Sequence, residues 1–112
     1  MTTIWHNPRC SKSRATLELI EGAGITPAIR LYKDNAPTAD EIRAALSLLN
    51  ITAADLIRTG EAIYKEMNLK DANEETLINA MAQNPILIER PVVINNNKAA
   101  LGRPPESVLD IL

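Results

Sequence analysis

The only cysteine of this 112-residue chain, Cys10, and its only histidine, His6, share the stretch WHNPRCSKSR at residues 5 to 14. Arg9 directly precedes the cysteine, and Lys12 and Arg14 follow it. The thiolate is the nucleophilic form of a thiol. Nearby cations or helix N-terminal N–H groups lower a free pKa of about 8.5 to roughly 3.5–7.5. The segment TTIWH before the loop reads as a strand and a helical pattern starts at Ser11, so Cys10 falls where unpaired backbone N–H groups favour an anion. Lys12, Arg14 and a charged or hydrogen-bonding His6 push in the same direction, and the Ser11 and Ser13 hydroxyls can donate to an incoming oxyanion. A competing reading is a packed or capping cysteine among solvated basic side chains, because free cysteine often behaves as a small hydrophobe. Residue types alone leave both open.

Sharper chemistries are excluded by spacing. A tyrosine-phosphatase-like loop needs an arginine where Thr16 stands, and a dithiol redox motif needs a cysteine where Ser13 stands. One cysteine and one histidine make a poor metal site, so no metal and no bound cofactor are expected. No Walker or Gly-x-Gly-x-x-Gly loop is present. What is left is a one-thiol nucleophile whose second thiol comes from outside. Arg58, Arg90 and Arg103 join the candidate site because arginine grips an oxyanion with two donors at once. Arg90 and Arg103 each precede a proline, Pro91 and Pro104. Taken singly, each arginine is more often a salt-bridged surface residue, and spacing does not show that the three converge.

The elements that must hold these residues follow from periodicity and turn chemistry. Residues 2 to 6 form a strand; Thr16, Leu19, Ile20 and Ala23 mark a helix ending at Gly24; and PAIRLY at 27 to 32 forms a second, parallel strand. A helical block follows. Thr38 with Glu41 makes a capping box ahead of the stripe Ile42, Ala45, Leu46 and Leu49. Thr52 with Asp55 starts another helix, a short amphipathic piece spans Glu61 to Met67, and Asn73 caps a helix bearing Leu77, Ile78 and Met81. VVIN and KAAL then pair as a hairpin through an asparagine turn, and Pro104-Pro105 opens a last helix with Val108, Leu109 and Leu112 inward. The expected fold class is α/β: β-α-β, a helical insertion at about 38–84, then β-β-α, built on a mixed four-stranded sheet in one domain of 112 residues.

Composition narrows the setting. A net charge of −2 argues against broad nucleic-acid binding. No apolar run reaches a membrane span, and the first residues do not read as a signal peptide. A single cysteine forms no internal disulfide, so a cytoplasmic location is expected. A domain of this size with no obvious apolar seam is expected to be a monomer. With one Trp, two Tyr and no Phe, the core must be aliphatic.

HNPRCSKSR resembles the nucleophile loop of the ArsC family of glutaredoxin-dependent arsenate reductases, and LIRTGE, NPILIERPVV and GRPPESVLDIL extend the likeness over nearly the whole chain. The resemblance implies a thioredoxin-like fold with a helical insertion and a cis peptide before Pro91. It implies that Cys10 attacks arsenate and that glutathione and glutaredoxin complete the reduction as co-substrate and partner. It also implies that Arg58, Arg90 and Arg103 bind the oxyanion, and that His6, Ser13 and Arg14 support the thiolate. The loop departs from the Ala-Cys-Gly-Thr-Ser-Arg form of the best-characterised family members, because Arg9 and Lys12 add positive charge beside the thiol. Two other functions share this frame. One is a redox regulator like the Spx proteins that bind RNA polymerase. Ser13 stands where that switch needs its second cysteine, and a charged C-terminal tail would be expected of such a regulator. The other is a glutathione mixed-disulfide oxidoreductase.

Overall fold

The computed structural model describes residues 1–112. They divide into two compact units, Met1–Asn35 with Arg90–Leu112, and Ala36–Glu89.

The first unit is built on strands β1 (Thr2–Trp5), β2 (Ala28–Arg30), β3 (Val92–Asn95) and β4 (Lys98–Leu101) in the order β2-β1-β3-β4. The β1–β2 pair is parallel and the other two pairs are antiparallel, which is the mixed sheet expected from the sequence. Helix α1 (Ser11–Gly22) makes the crossover between the parallel strands. Ile4, at the centre of β1, faces Ile29 on one side and Val93 on the other. Ile4, Ile20, Val93 and Val108 form the buried core, with Leu17, Ile25, Ala100 and Ile111 packed against it. The hairpin turns on Asn96 at φ 57°, a left-handed conformation that asparagine tolerates well.

Helix α1 ends at Gly22, one residue short of the expected span to Ala23, and Ala23 is an exposed C-cap whose N–H returns to the Leu19 and Ile20 carbonyls. The buried residues of α1 are Ser13, Thr16 and Ile20, so its first turns bury hydroxyls rather than hydrocarbon. The last helix is a 3₁₀ segment, Pro105–Ile111. Its period of three places Pro105, Val108 and Ile111 on one face and turns Leu109 outward, 46% exposed.

Gly102 holds the sheet end against the cysteine helix. Its N–H donates to the Pro91 carbonyl at 2.9 Å, and a β-carbon there would collide with the Thr16 hydroxyl and lie 2.6 Å from Pro91 Cγ. The Thr16 hydroxyl itself donates to the Lys12 carbonyl at 2.7 Å, so neither neighbour can withdraw freely. Gly102→Ala is expected to lower unfolding free energy by about 1–3 kcal/mol, the usual cost of overpacking. An unchanged urea midpoint would show that the contact yields.

The second unit is helical: α2 (Ala39–Leu49), α3 (Ala53–Leu56), α4 (Ala62–Glu66) and α5 (Glu74–Gln83). Thr38 and Glu41 exchange the two hydrogen bonds of a capping box. The Thr52 N–H and hydroxyl both donate to Asp55, and Asn73 accepts from the Thr76 N–H at 2.9 Å. Ile42, Ala45 and Leu46 of α2 are buried where α2 packs on α5, which contributes Leu77, Ile78 and Met81. No helix of either unit is long and apolar enough to cross a membrane.

Candidate active site

Cys10 occupies the N-cap of α1 in extended conformation, φ −96° and ψ 123°, and its side chain makes no capping hydrogen bond to the helix. The loop that delivers it is organised by Asn7, a buried residue the sequence reading passed over. The Asn7 carbonyl accepts the Cys10 N–H at 3.0 Å, and its side-chain oxygen accepts the Arg9 N–H at 3.0 Å. Its own N–H donates to Ser13 Oγ at 3.0 Å. The one available signal was the Asn-Pro pair, because asparagine side chains bond backbone two residues on. Arg14 closes the loop from the helix side, donating from Nη1 to the Pro8 carbonyl at 2.9 Å.

The half-buried thiol is held below its ordinary pKa. Burial alone would raise it, but the Ser13 N–H, the Arg90 side chain, the Lys12 N–H and the Arg90 charge together outweigh that cost. Lys12 thus acts through its backbone, while its side chain is exposed. Ser11, the first residue of the helix, is also exposed.

Arg90 and Arg103 are brought together from the two ends of the β3–β4 hairpin. Arg103 Nε donates to the Arg90 carbonyl at 2.9 Å, which aims its Nη2 at Cys10 Sγ, 3.9 Å away. The peptide before Pro91 is cis, and so is that between Arg103 and Pro104, which the sequence reading did not anticipate.

His6 turns to Ser13 rather than to the sulfur. Its Nδ1 lies 2.6 Å from the fully buried Ser13 Oγ. Ser13 Oγ already accepts from Asn7, so its hydroxyl proton is free to donate to a neutral His6. Burial, and then the charge of Arg14, hold His6 below the ordinary imidazole value of 6.5. The stability consequence has a definite sign. Below pH 6.5 the unfolded chain takes up a proton that the folded chain resists, so stability falls as pH drops through that window. Unfolding followed by urea from neutral pH down toward the folded value should show this loss, and His6→Gln should flatten it. An equal slope in both proteins would mean His6 does not titrate there.

Arg58 belongs to the helical unit. Its Nε donates to Glu61 at 3.2 Å and its Nη1 to Glu89 at 2.7 Å, partners that spacing did not reveal.

A parallel β-α-β entry, an antiparallel hairpin and a thiol at the start of the first helix define a thioredoxin-like domain. The chain belongs to the ArsC family, whose model matches residues 5–111. The Escherichia coli K12 protein YfgD, described as uncharacterized, is 49% identical over 97% of this chain and 94% of its own length. A Haemophilus influenzae protein named arsenate reductase is 45% identical over 97% of each chain. The solved structure of an arsenate reductase from Vibrio cholerae matches with a TM-score of 0.96 at 44% identity, covering 99% of this chain and 97% of its own.

Proposed function

We propose that this protein reduces arsenate to arsenite, with Cys10 as the nucleophile and glutathione and glutaredoxin as the reducing thiols. The observation that carries the reading is the thiol at the N-cap of α1, facing the Ser13 and Lys12 N–H groups and the guanidinium groups of Arg90 and Arg103. The thiolate attacks arsenic, an S–As bond forms, and an arsenate oxygen leaves as water. The glutathione thiol displaces a second oxygen as water and adds its own S–As bond. A glutaredoxin thiolate then attacks the glutathione sulfur, and the S–As electron pair passes to arsenic, reducing it from As(V) to As(III). Hydrolysis of the Cys10–arsenic bond releases arsenite and restores the thiol.

Arg90 and Arg103 hold the oxyanion and the charge that builds on it, the kind of stabilisation preorganised donors provide best. The family resemblance gives Arg58 the same task. Two of its nitrogens are engaged by Glu61 and Glu89, so fewer of its donors are left for an anion.

The test follows NADPH oxidation with arsenate, glutathione, glutaredoxin and glutathione reductase, with Cys10→Ser run alongside. Turnover requiring both arsenate and Cys10 supports the reading. Cys10-dependent disulfide exchange without arsenate turnover would replace it with a mixed-disulfide oxidoreductase. Retention of RNA polymerase subunits on the immobilised protein, with neither activity, would replace it with a regulator.

A further inference from the structure

A cavity of about 390 Å³ opens beside the cysteine loop and is not used by the oxyanion chemistry above. One wall is the loop itself, through Asn7, Pro8 and Arg9; the other is the turn after β2, through Leu31, Lys33 and Asp34. That turn has a defined shape, because the N–H groups of Asp34 and Asn35 both donate to the Leu31 carbonyl at 2.9 Å and Arg30 Nε donates to the Asn35 carbonyl. The lining therefore offers two cations and one carboxylate around the apolar surfaces of Pro8 and Leu31. Arg9, the cation nearest in sequence to the nucleophile, is the residue immediately before Cys10.

From this juxtaposition we propose that the cavity is the seat of the thiol co-substrate, a small peptide with two carboxylates and one ammonium, of which glutathione is the probe. The proposal rests on the reading of Cys10 as a reactive thiolate. Charges match one for one: Arg9 and Lys33 take the two carboxylates, and Asp34 takes the ammonium. The size fits as well, since pockets for ligands of this class begin at roughly 300 Å³. Held there by both ends, a glutathione lies against the same loop that carries Cys10, whose neighbour Arg9 is one of the anchors. Uncharged small thiols lack both anchors.

The test needs no arsenate, so it separates this proposal from the arsenate reading. Cys10 thiolate attacks glutathione disulfide, forming the Cys10–glutathione disulfide and releasing one glutathione thiolate. The same attack on hydroxyethyl disulfide, which carries no charge, reports thiol reactivity alone. The Arg9→Gln/Lys33→Gln double variant should slow the glutathione reaction on the order of tenfold, the scale of losing two exposed charge contacts. It should leave the hydroxyethyl disulfide rate unchanged. A second variant, Asp34→Asn, should slow the glutathione reaction less and in the same selective way. Equal slowing with both disulfides would mean the cations act on the thiol itself, and no slowing with either would mean the cavity is not the site. Both results overturn the proposal. Loss of arsenate turnover with selective disulfide exchange intact would instead reject arsenate and keep the site.

Discussion

Cys10→Ser is expected to lose arsenate turnover by roughly 10³-fold or more, the scale of removing a nucleophile outright, and yet to unfold at a higher urea concentration than the parent. The two effects have one origin. The helix N–H groups that, beside Arg90, favour a thiolate at position 10 belong to an unfilled N-cap, in which the cysteine side chain makes no capping bond to the helix. A serine hydroxyl is a preferred N-cap acceptor and can take the Ser13 N–H, adding about 0.5–1 kcal/mol. It does not ionise in the accessible pH range, so the same donors no longer generate a nucleophile. The comparison belongs on the acid side of the thiol titration. A depressed folded pKa gives the parent a stability contribution that is present above the unfolded thiol value and lost as pH falls through the folded one. Cys10→Ser should therefore be more stable at low pH and lack the parent's rise toward high pH. A serine variant that still reduces arsenate would remove Cys10 from the mechanism, whatever its stability.

Arg90→Gln should shift the midpoint of Cys10 alkylation to higher pH and cut kcat/KM for arsenate by about 10²-fold, the effect of removing one oxyanion donor. Its side chain both bonds and attracts the thiolate, so its loss affects ionisation and anion binding together. The substitution is clean in one respect: the carbonyl that holds Arg103 Nε is backbone and stays in place. Arg103→Gln makes the contrast. Its Nη2 meets sulfur at 3.9 Å, the long limit for such a bond, so the alkylation midpoint should move less while arsenate binding still weakens. A midpoint unmoved in Arg90→Gln would exclude the guanidinium as the source of thiol acidity.

Both variants probe a site that was partly legible beforehand. Cys10 was recognisable because it is the only cysteine and stands at a strand-to-helix junction, where local chain geometry by itself aims N–H groups at a side chain. The capping pairs Thr38 with Glu41 and Thr52 with Asp55 were legible for the same reason, since each bond closes within three residues. So was the hairpin, whose Asn96 adopts the left-handed conformation its residue type favours.

Features joining distant stretches of chain were not legible. Sequence suggested that His6 supports the thiol directly, whereas in the fold it bonds the Ser13 hydroxyl rather than the sulfur. Leu109 looked inward at α-helical spacing and faces outward because packing tightens the final segment to a period of three. The sequence by itself determined the element order and the position of Cys10 at the start of the first helix, because both depend on neighbours a few residues apart. Only the tertiary structure could decide that Arg90 and Arg103 meet over Cys10. Their distance from residue 10 is closed by strand pairing and by one bond from Arg103 to the Arg90 carbonyl, and nothing local encodes either.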